Sequence, residues 1–294
     1  MPTDASWNPR ESVAVVGGGT MGVGIAYVFT MSGYDVHLVE PDADRRQAAF
    51  VTMGSAARTA VERGKIAADL ARDRVSAVSV KAAVEELPEG VDLAIETVPE
   101  QRVLKEKVLS QISERAPALI ASNTSALSID DLSGAVETPS TFLGMHFFNP
   151  VWSLMLVEIV RGSLTSDASI AKAQGFAEGI GKKSAVVSDV PGFATSRLDL
   201  VQALEAIRMV ENGVASPEDI DRAIETAYRH PMGPLRLSDV VGLDVRLDIA
   251  RHLEDVLGPH FAPPKLLQDM VARGELGRKS GKGFYEWPET AQTQ

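Results

Sequence analysis

The chain has no cysteine among its 294 residues. Disulfides, thiolate nucleophiles, zinc ribbons and iron–sulfur clusters are excluded with it. No metal site is expected, and a cysteine-free composition suits a reducing cytoplasm. Positive charge is also short: 29 Lys and Arg stand against 40 Asp and Glu, a formal charge of −11. Binding of nucleic acid calls for a basic face, so no such partner is expected. No apolar stretch approaches the ~18 to 20 residues that span a bilayer, and no membrane association is expected. The N-terminal segment is polar, with Asp4, Arg10 and Glu11. It lacks the basic stretch and apolar core of a secretion signal.

What is present is 45% hydrophobic and 23% charged. The length suits one large or two ordinary domains with a substantial core. Short β-branched runs at 12–16, 35–40, 91–96, 118–122 and 141–146 read as buried strands. Segments 21–32, 42–64 and 101–116 between them have helical spacing. Such alternation implies parallel strands with helical crossovers, a doubly wound sheet. Segments 156–160, 168–181 and 184–187 extend the pattern. Then Asp189-Val190-Pro191-Gly192 forms a turn-rich junction, followed by helical segments 193–212, 217–229, 242–257 and 264–274. Ser216-Pro217-Glu218-Asp219 is a helix start, with a serine cap, proline in the first turn and acids beside it. The expected architecture is an α/β domain over 1–189 and an all-α domain over 190–294. No repeat of solenoid period is visible.

Residues 13–16 are apolar and run directly into Gly17-Gly18-Gly19-Thr20-Met21-Gly22. Gly17, Gly19 and Gly22 stand in G-x-G-x-x-G register between a strand and a helix, the Rossmann-type dinucleotide fingerprint. The first glycine permits the turn, the second admits the pyrophosphate, and the third lets helix pack on strand. Thr20 and Met21 open the helix whose N–H groups receive the anion. Glu40 ends the second strand 23 residues beyond Gly17, where an acid that accepts ribose hydroxyls is expected. It favours NAD over NADP, while Arg45 and Arg46 keep the second cofactor open.

His146 lies at the end of the run 141–146, at the carboxyl end of a strand, where open sheets keep their chemistry. A purely structural histidine fits there too. Glu158 sits within the apolar run 154–160. A carboxylate in such a run needs a partner, and pairing with His146 would orient the imidazole as a general base.

At this point the chain resembles the L-3-hydroxyacyl-CoA dehydrogenase family over nearly its whole length. The resemblance is carried by 15–24, Ala121-Ser122-Asn123-Thr124-Ser125, 144–151, Val157-Glu158, 189–193, 205–208 and 214–221. It continues through His230-Pro231-Met232-Gly233-Pro234-Leu235 and Gly277-Arg278-Lys279-Ser280-Gly281-Lys282-Gly283-Phe284-Tyr285. It implies an NAD-dependent oxidoreductase of fatty acid metabolism that interconverts L-3-hydroxyacyl-CoA and 3-ketoacyl-CoA. His146 is then the base, Glu158 its partner and Ser125 the active-site serine. Glu100, Lys105, Asn149 and Lys279 match cofactor contacts, with Asn123 at the cofactor's edge. The helical domain is expected to bind substrate and to form a homodimer.

Three positions depart from the family pattern. Ser196 stands where an asparagine near the substrate is usual, and retains a hydroxyl of shorter reach. Met155 replaces a common lysine and Trp152 a proline. These changes leave an acyl group on a carrier protein as an alternative substrate. A non-catalytic NAD-binding protein is a second alternative, against which His146, Glu158 and Ser125 together stand. Arg58, Arg63 and Lys65 are candidates for the CoA adenosine phosphate, or else a solvated helical face.

Overall fold

The computed structural model describes residues 10–288. The segments 1–9 and 289–294 lie outside them, and the expectation of no secretion signal falls largely on the first. The chain divides into two compact units, Met1–Val190 and Pro191–Gln294.

The first unit contains eight strands and six α-helices among its described residues. In chain order they are β1 (Arg10–Val16), α1 (Thr20–Met31), β2 (Tyr34–Val39), α2 (Ala43–Glu62), α3 (Ala68–Ser76), β3 (Ser79–Lys81) and β4 (Leu93–Glu96). There follow α4 (Arg102–Ser113), β5 (Ile120–Ser122), α5 (Ile129–Ser133), β6 (Phe142–Phe147), β7 (Leu156–Arg161), α6 (Asp167–Gly179) and β8 (Lys183–Ser188). They form one sheet in the order β3-β2-β1-β4-β5-β6-β7-β8. In β1, Val13, Ala14, Val15 and Val16 are all buried, as expected of a central strand covered on both faces. Strand order reverses between β1 and β4, the switch point at whose carboxyl edge such sheets bind ligands.

Strand alternation implied parallel pairing throughout, and the structure departs from it once. β7 runs antiparallel to β6, and β8 is again parallel to β7. The connection 148–155 is too short for the dozen or more residues that a parallel crossover needs. The chain therefore turns straight back. This return places Glu158 opposite His146 in register.

The second unit is helical, with α7 (Thr195–Glu211), α8 (Pro217–Tyr228), α9 (Pro234–Val241), α10 (Leu243–Leu257) and α11 (Lys265–Ala272). Ser216 caps α8, its side chain accepting from the Asp219 N–H. Leu200, Leu204 and Ile207 form the buried stripe of α7 and pack with Ile220, Leu235, Leu247 and Leu267, the one-sided apolar pattern of a helix on a core. Among the described residues no helix is long and apolar enough to cross a membrane.

Candidate active site

At Gly17 and Gly22 the glycine loop is shaped by contacts that leave no room for a side chain. Gly17 has φ +116°, and its N–H donates to the Val39 carbonyl at 2.8 Å. A Cβ on Gly22 would fall 1.8 Å from the Gly17 carbonyl oxygen. Just beyond β4, Thr97 Oγ1 reaches across, its one hydrogen shared between the Val16 and Gly17 carbonyls at 3.0 and 2.9 Å. Gly19 caps α1 without a side-chain hydrogen bond, and the first turn holds no acid. Nothing lies within 4 Å of a Cβ placed on Gly19. A helix start with no side-chain acceptor of its own and open space before it suits an approaching anion. The residues present thus fit a dinucleotide.

Glu40 is buried beside this loop. Its carboxylate accepts the Gly18 N–H at 2.9 Å and the Asp42 N–H at 3.0 Å. Of the two nearby arginines, Arg46 is engaged with the Glu40 and Pro41 carbonyls, at 2.8 and 2.7 Å. Arg45 lines the cleft.

The cleft encloses about 820 Å³ along the carboxyl edge of the sheet, and Glu40, Asn123, Ser125 and His146 all face it. His146, near the end of β6, is almost fully buried, and Glu158 is completely so. The Nδ1 atom of His146 lies 2.8 Å from Glu158 Oε2. The carboxylate accepts, so Nδ1 carries the proton and Nε2 is the basic nitrogen. The Phe148 ring stands beside the imidazole, its centroid 4.4 Å away.

Around this pair the loops after β4 and β5 are tied together. Asn123 Oδ1 accepts the Phe147 N–H at 2.9 Å, linking the ends of β5 and β6. Glu100 Oε1 accepts from Thr124 Oγ1 at 2.5 Å, the Ser125 N–H at 3.0 Å and the Ala126 N–H at 3.1 Å. Burial pushes the Glu100 carboxyl up, but the Thr124 hydroxyl, the Lys105 charge and the Ser125 N–H outweigh it. The carboxyl is held below its ordinary range. Ser125 itself is exposed.

Lys105 belongs to this cluster: it lines the cleft, is 1% exposed, lies 3.2 Å from Glu100 Oε2, and is bonded to Glu96. Glu96 was not singled out from the sequence. The signal was available: Glu96 ends an apolar run, as Glu158 lies within one. Asn149 is exposed on the connection after β6. Arg58, Arg63 and Lys65 are exposed at the end of α2 and in the turn beyond it, outside the lining of the cleft. Ser196 and Lys279 belong to the second unit. Ser196 lies in the first turn of α7, half-buried. Lys279 donates to Asp244, on a turn whose glycines are dictated by Asp239. A Cβ at Gly283 would meet Asp239 Oδ1 at 2.1 Å, and one at Gly277 would meet its carbonyl oxygen at 2.3 Å.

A dinucleotide cleft faced by an imidazole that a buried carboxylate supports defines a class, the dinucleotide-dependent oxidoreductases. Comparison with known proteins narrows it. The model of the 3-hydroxyacyl-CoA dehydrogenase NAD binding domain matches residues 12–190, and that of the C-terminal domain matches 192–287. A 3-hydroxybutyryl-CoA dehydrogenase of Mycobacterium tuberculosis (strain CDC 1551 / Oshkosh) is 39% identical over 284 residues, 94% of this chain and 98% of that protein. The mitochondrial hydroxyacyl-coenzyme A dehydrogenase of Rattus norvegicus is 34% identical over 286 residues, 94% of this chain and 91% of its own. The crystal structure of (S)-3-hydroxybutyryl-CoA dehydrogenase from Ralstonia eutropha matches with a TM-score of 0.90 and 34% identity, covering 95% of this chain and 99% of that one. The chain belongs to the 3-hydroxyacyl-CoA dehydrogenase family. It is an oxidoreductase and its cofactor is NAD.

Proposed function

We propose that this enzyme interconverts an L-3-hydroxyacyl-CoA and the 3-ketoacyl-CoA, with His146 as general base and Glu158 as its partner. The observation that carries the reading is the 2.8 Å contact between His146 Nδ1 and Glu158 Oε2 beside the dinucleotide cleft. In oxidation, Nε2 takes the proton of the C3 hydroxyl as the carbon–oxygen bond becomes a carbonyl. NAD, when bound, would supply the acceptor for the hydride of C3. The imidazole becomes an imidazolium, and the buried Glu158 carboxylate stabilises that charge and fixes the ring's orientation. In reduction the same nitrogen returns the proton to the forming alkoxide. Ser125 orients the hydroxyl or carbonyl, and Asn123 keeps the ends of β5 and β6 together beneath it.

The glycine loop, Thr20 and Met21 receive the pyrophosphate, and Glu40 the ribose hydroxyls. Glu100 and Asn149 complete the cofactor side within the first unit, and Lys279 is a cofactor contact by family resemblance alone. Ser196 supplies a polar contact to substrate, and Arg58, Arg63 and Lys65 bind the adenosine phosphate of CoA. The second unit provides the contacts of a homodimer, and the enzyme works in the cytoplasm.

One feature favours a carrier-protein thioester as a second substrate. Trp152, Leu154 and Met155 are 43%, 43% and 56% exposed on the connection that follows His146, an apolar surface suited to a protein-borne acyl group. The test is NADH consumption with acetoacetyl-CoA and with an acetoacetyl carrier protein. Turnover of the CoA ester supports the main reading, turnover of the carrier ester alone supports the second, and turnover of neither refutes both.

A further inference from the structure

The connection 148–155 carries Asn149 between His146 and Glu158, and the pairing of β6 with β7 stops short of it, at Phe147 and Val157. A buried lysine holds it instead. Helix α6 closes on Gly181, at φ +72°, and the Lys182 N–H returns to the Ala177 carbonyl at 2.9 Å, a helix end built on a left-handed residue. Lys182 itself is only 6% exposed. Its Nζ donates to the Val151 and Leu154 carbonyls, each at 2.5 Å. One residue on, the Lys183 N–H donates to the Met155 carbonyl at 2.7 Å. Val151 is also wedged against α1: it is 1% exposed, and a Cβ on Gly24 would meet its Cγ2 at 2.8 Å.

An ammonium is a costly group to place here. Burial holds Lys182 below the ordinary lysine value, and its partners are neutral carbonyls rather than a carboxylate. An apolar side chain of the same length would avoid that cost but would take the donor away from both carbonyls. What the charge supplies is a fixed course for the connection. We propose that Lys182 is a positioning residue: its ammonium clamps the connection 148–155 and so keeps Asn149 in place for the cofactor. His146 and Glu158 face each other within the β6–β7 ladder, so the clamp bears on cofactor binding rather than on proton transfer. The effect on NADH rests on the reading of Asn149 as a cofactor contact. The effect on the connection does not.

The test uses Lys182→Met, which keeps the arm and removes its donors. Lys182→Gln keeps a neutral donor and serves as the second variant should the first not fold. NMR-detected amide exchange is measured in the cofactor-free protein at Ser153 and Leu154, whose N–H groups donate to the Pro150 carbonyl at 3.0 and 3.1 Å. NADH affinity, kcat at saturating NADH and melting temperature are measured beside it. In Lys182→Met, exchange at both amides should rise about tenfold or more, the equivalent of one charge-assisted hydrogen bond. NADH should bind about tenfold more weakly while kcat stays within about twofold of the parent, and Lys182→Gln should fall between the two. Parental exchange at both amides in a folded variant would overturn the proposal, whatever the melting temperature does, and leave Lys182 a residue that only stabilises the fold. Asn149→Ala separates the two readings. If it weakens NADH binding, fast exchange with parental NADH affinity in the Lys182 variants would also overturn the proposal. If it binds NADH as the parent does, the cofactor role of Asn149 fails and exchange alone decides the clamp. A parent inactive on acetoacetyl-CoA would refute the function proposed above and leave exchange and NADH affinity as the test.

Discussion

Glu158→Gln exchanges one buried oxygen for an amide nitrogen, removing a charge while nearly preserving volume. The amide oxygen can still accept from His146 Nδ1, which now lies 2.8 Å from the carboxylate. In the resting enzyme the imidazole of this mechanism is neutral, and the lost attraction is that of one charge-assisted hydrogen bond. During oxidation the ring becomes an imidazolium inside a site where Glu158 is 0% exposed. Breaking a buried charge pair costs about 3 to 5 kcal/mol, and each ~1.4 kcal/mol is tenfold. The retained hydrogen bond places the loss toward the lower end, so kcat should fall by about 10²- to 10³-fold. Stability should move the other way or not at all, because an uncharged amide is less costly to bury than a carboxylate. The assay is steady-state reduction of acetoacetyl-CoA, with NADH affinity by fluorescence and a thermal melt on the same preparations. Near-parental kcat, or a kcat loss matched by a large fall in melting temperature, would refute the electrostatic role.

Gly22→Ala should destroy cofactor binding, because its Cβ meets the Gly17 carbonyl oxygen at 1.8 Å and Thr97 Oγ1 at 2.6 Å. Helix and strand must part, at the ~1 to 3 kcal/mol or more typical of overpacking, and titration with NADH should show affinity at least tenfold weaker. Glu40→Gln should narrow the preference for NADH over NADPH by removing the charge that opposes a 2′-phosphate. Kinetics with both cofactors check this, and an unchanged ratio would mean that the Glu40 charge does not set the discrimination. The depressed Glu100 carboxyl stabilises the fold fully above its ordinary value of 4.5, and that contribution is lost as pH falls through the lower folded value. Glu100→Gln should therefore flatten the acid side of the stability–pH curve, as measured by melts across that range.

The glycine loop and Glu40 were legible in the sequence because their geometry is local: a strand end, a tight turn and a helix start follow one another directly. The helical second unit was legible for a similar reason, through caps such as Ser216 and stripes such as Leu200-Leu204-Ile207. Short elements were not. β3 (Ser79–Lys81) is an edge strand of half-buried residues, without an apolar run to mark it. Helix α3, α5 and α9 were likewise missed, and α5 is a single turn of five residues, too short to display a period. The partnership of His146 and Glu158 was legible as a need, since a carboxylate among apolar residues requires a partner. Its geometry depended on the antiparallel return of β7, which the regular alternation of strand and helix had concealed. Lys105 shows the opposite limit. Its position matches a motif, but only the packing of Glu96 beneath it reveals where its hydrogens go.

The central claim is that His146 transfers the proton and leaves the cofactor to its own cleft. His146→Ala tests it most directly, with kcat for acetoacetyl-CoA and NADH affinity measured on one preparation. Turnover should fall by at least the ~10²- to 10⁴-fold typical of lost general acid–base catalysis, while NADH binds as tightly as to the parent. Near-parental turnover, or loss of turnover together with loss of NADH binding, would contradict the account.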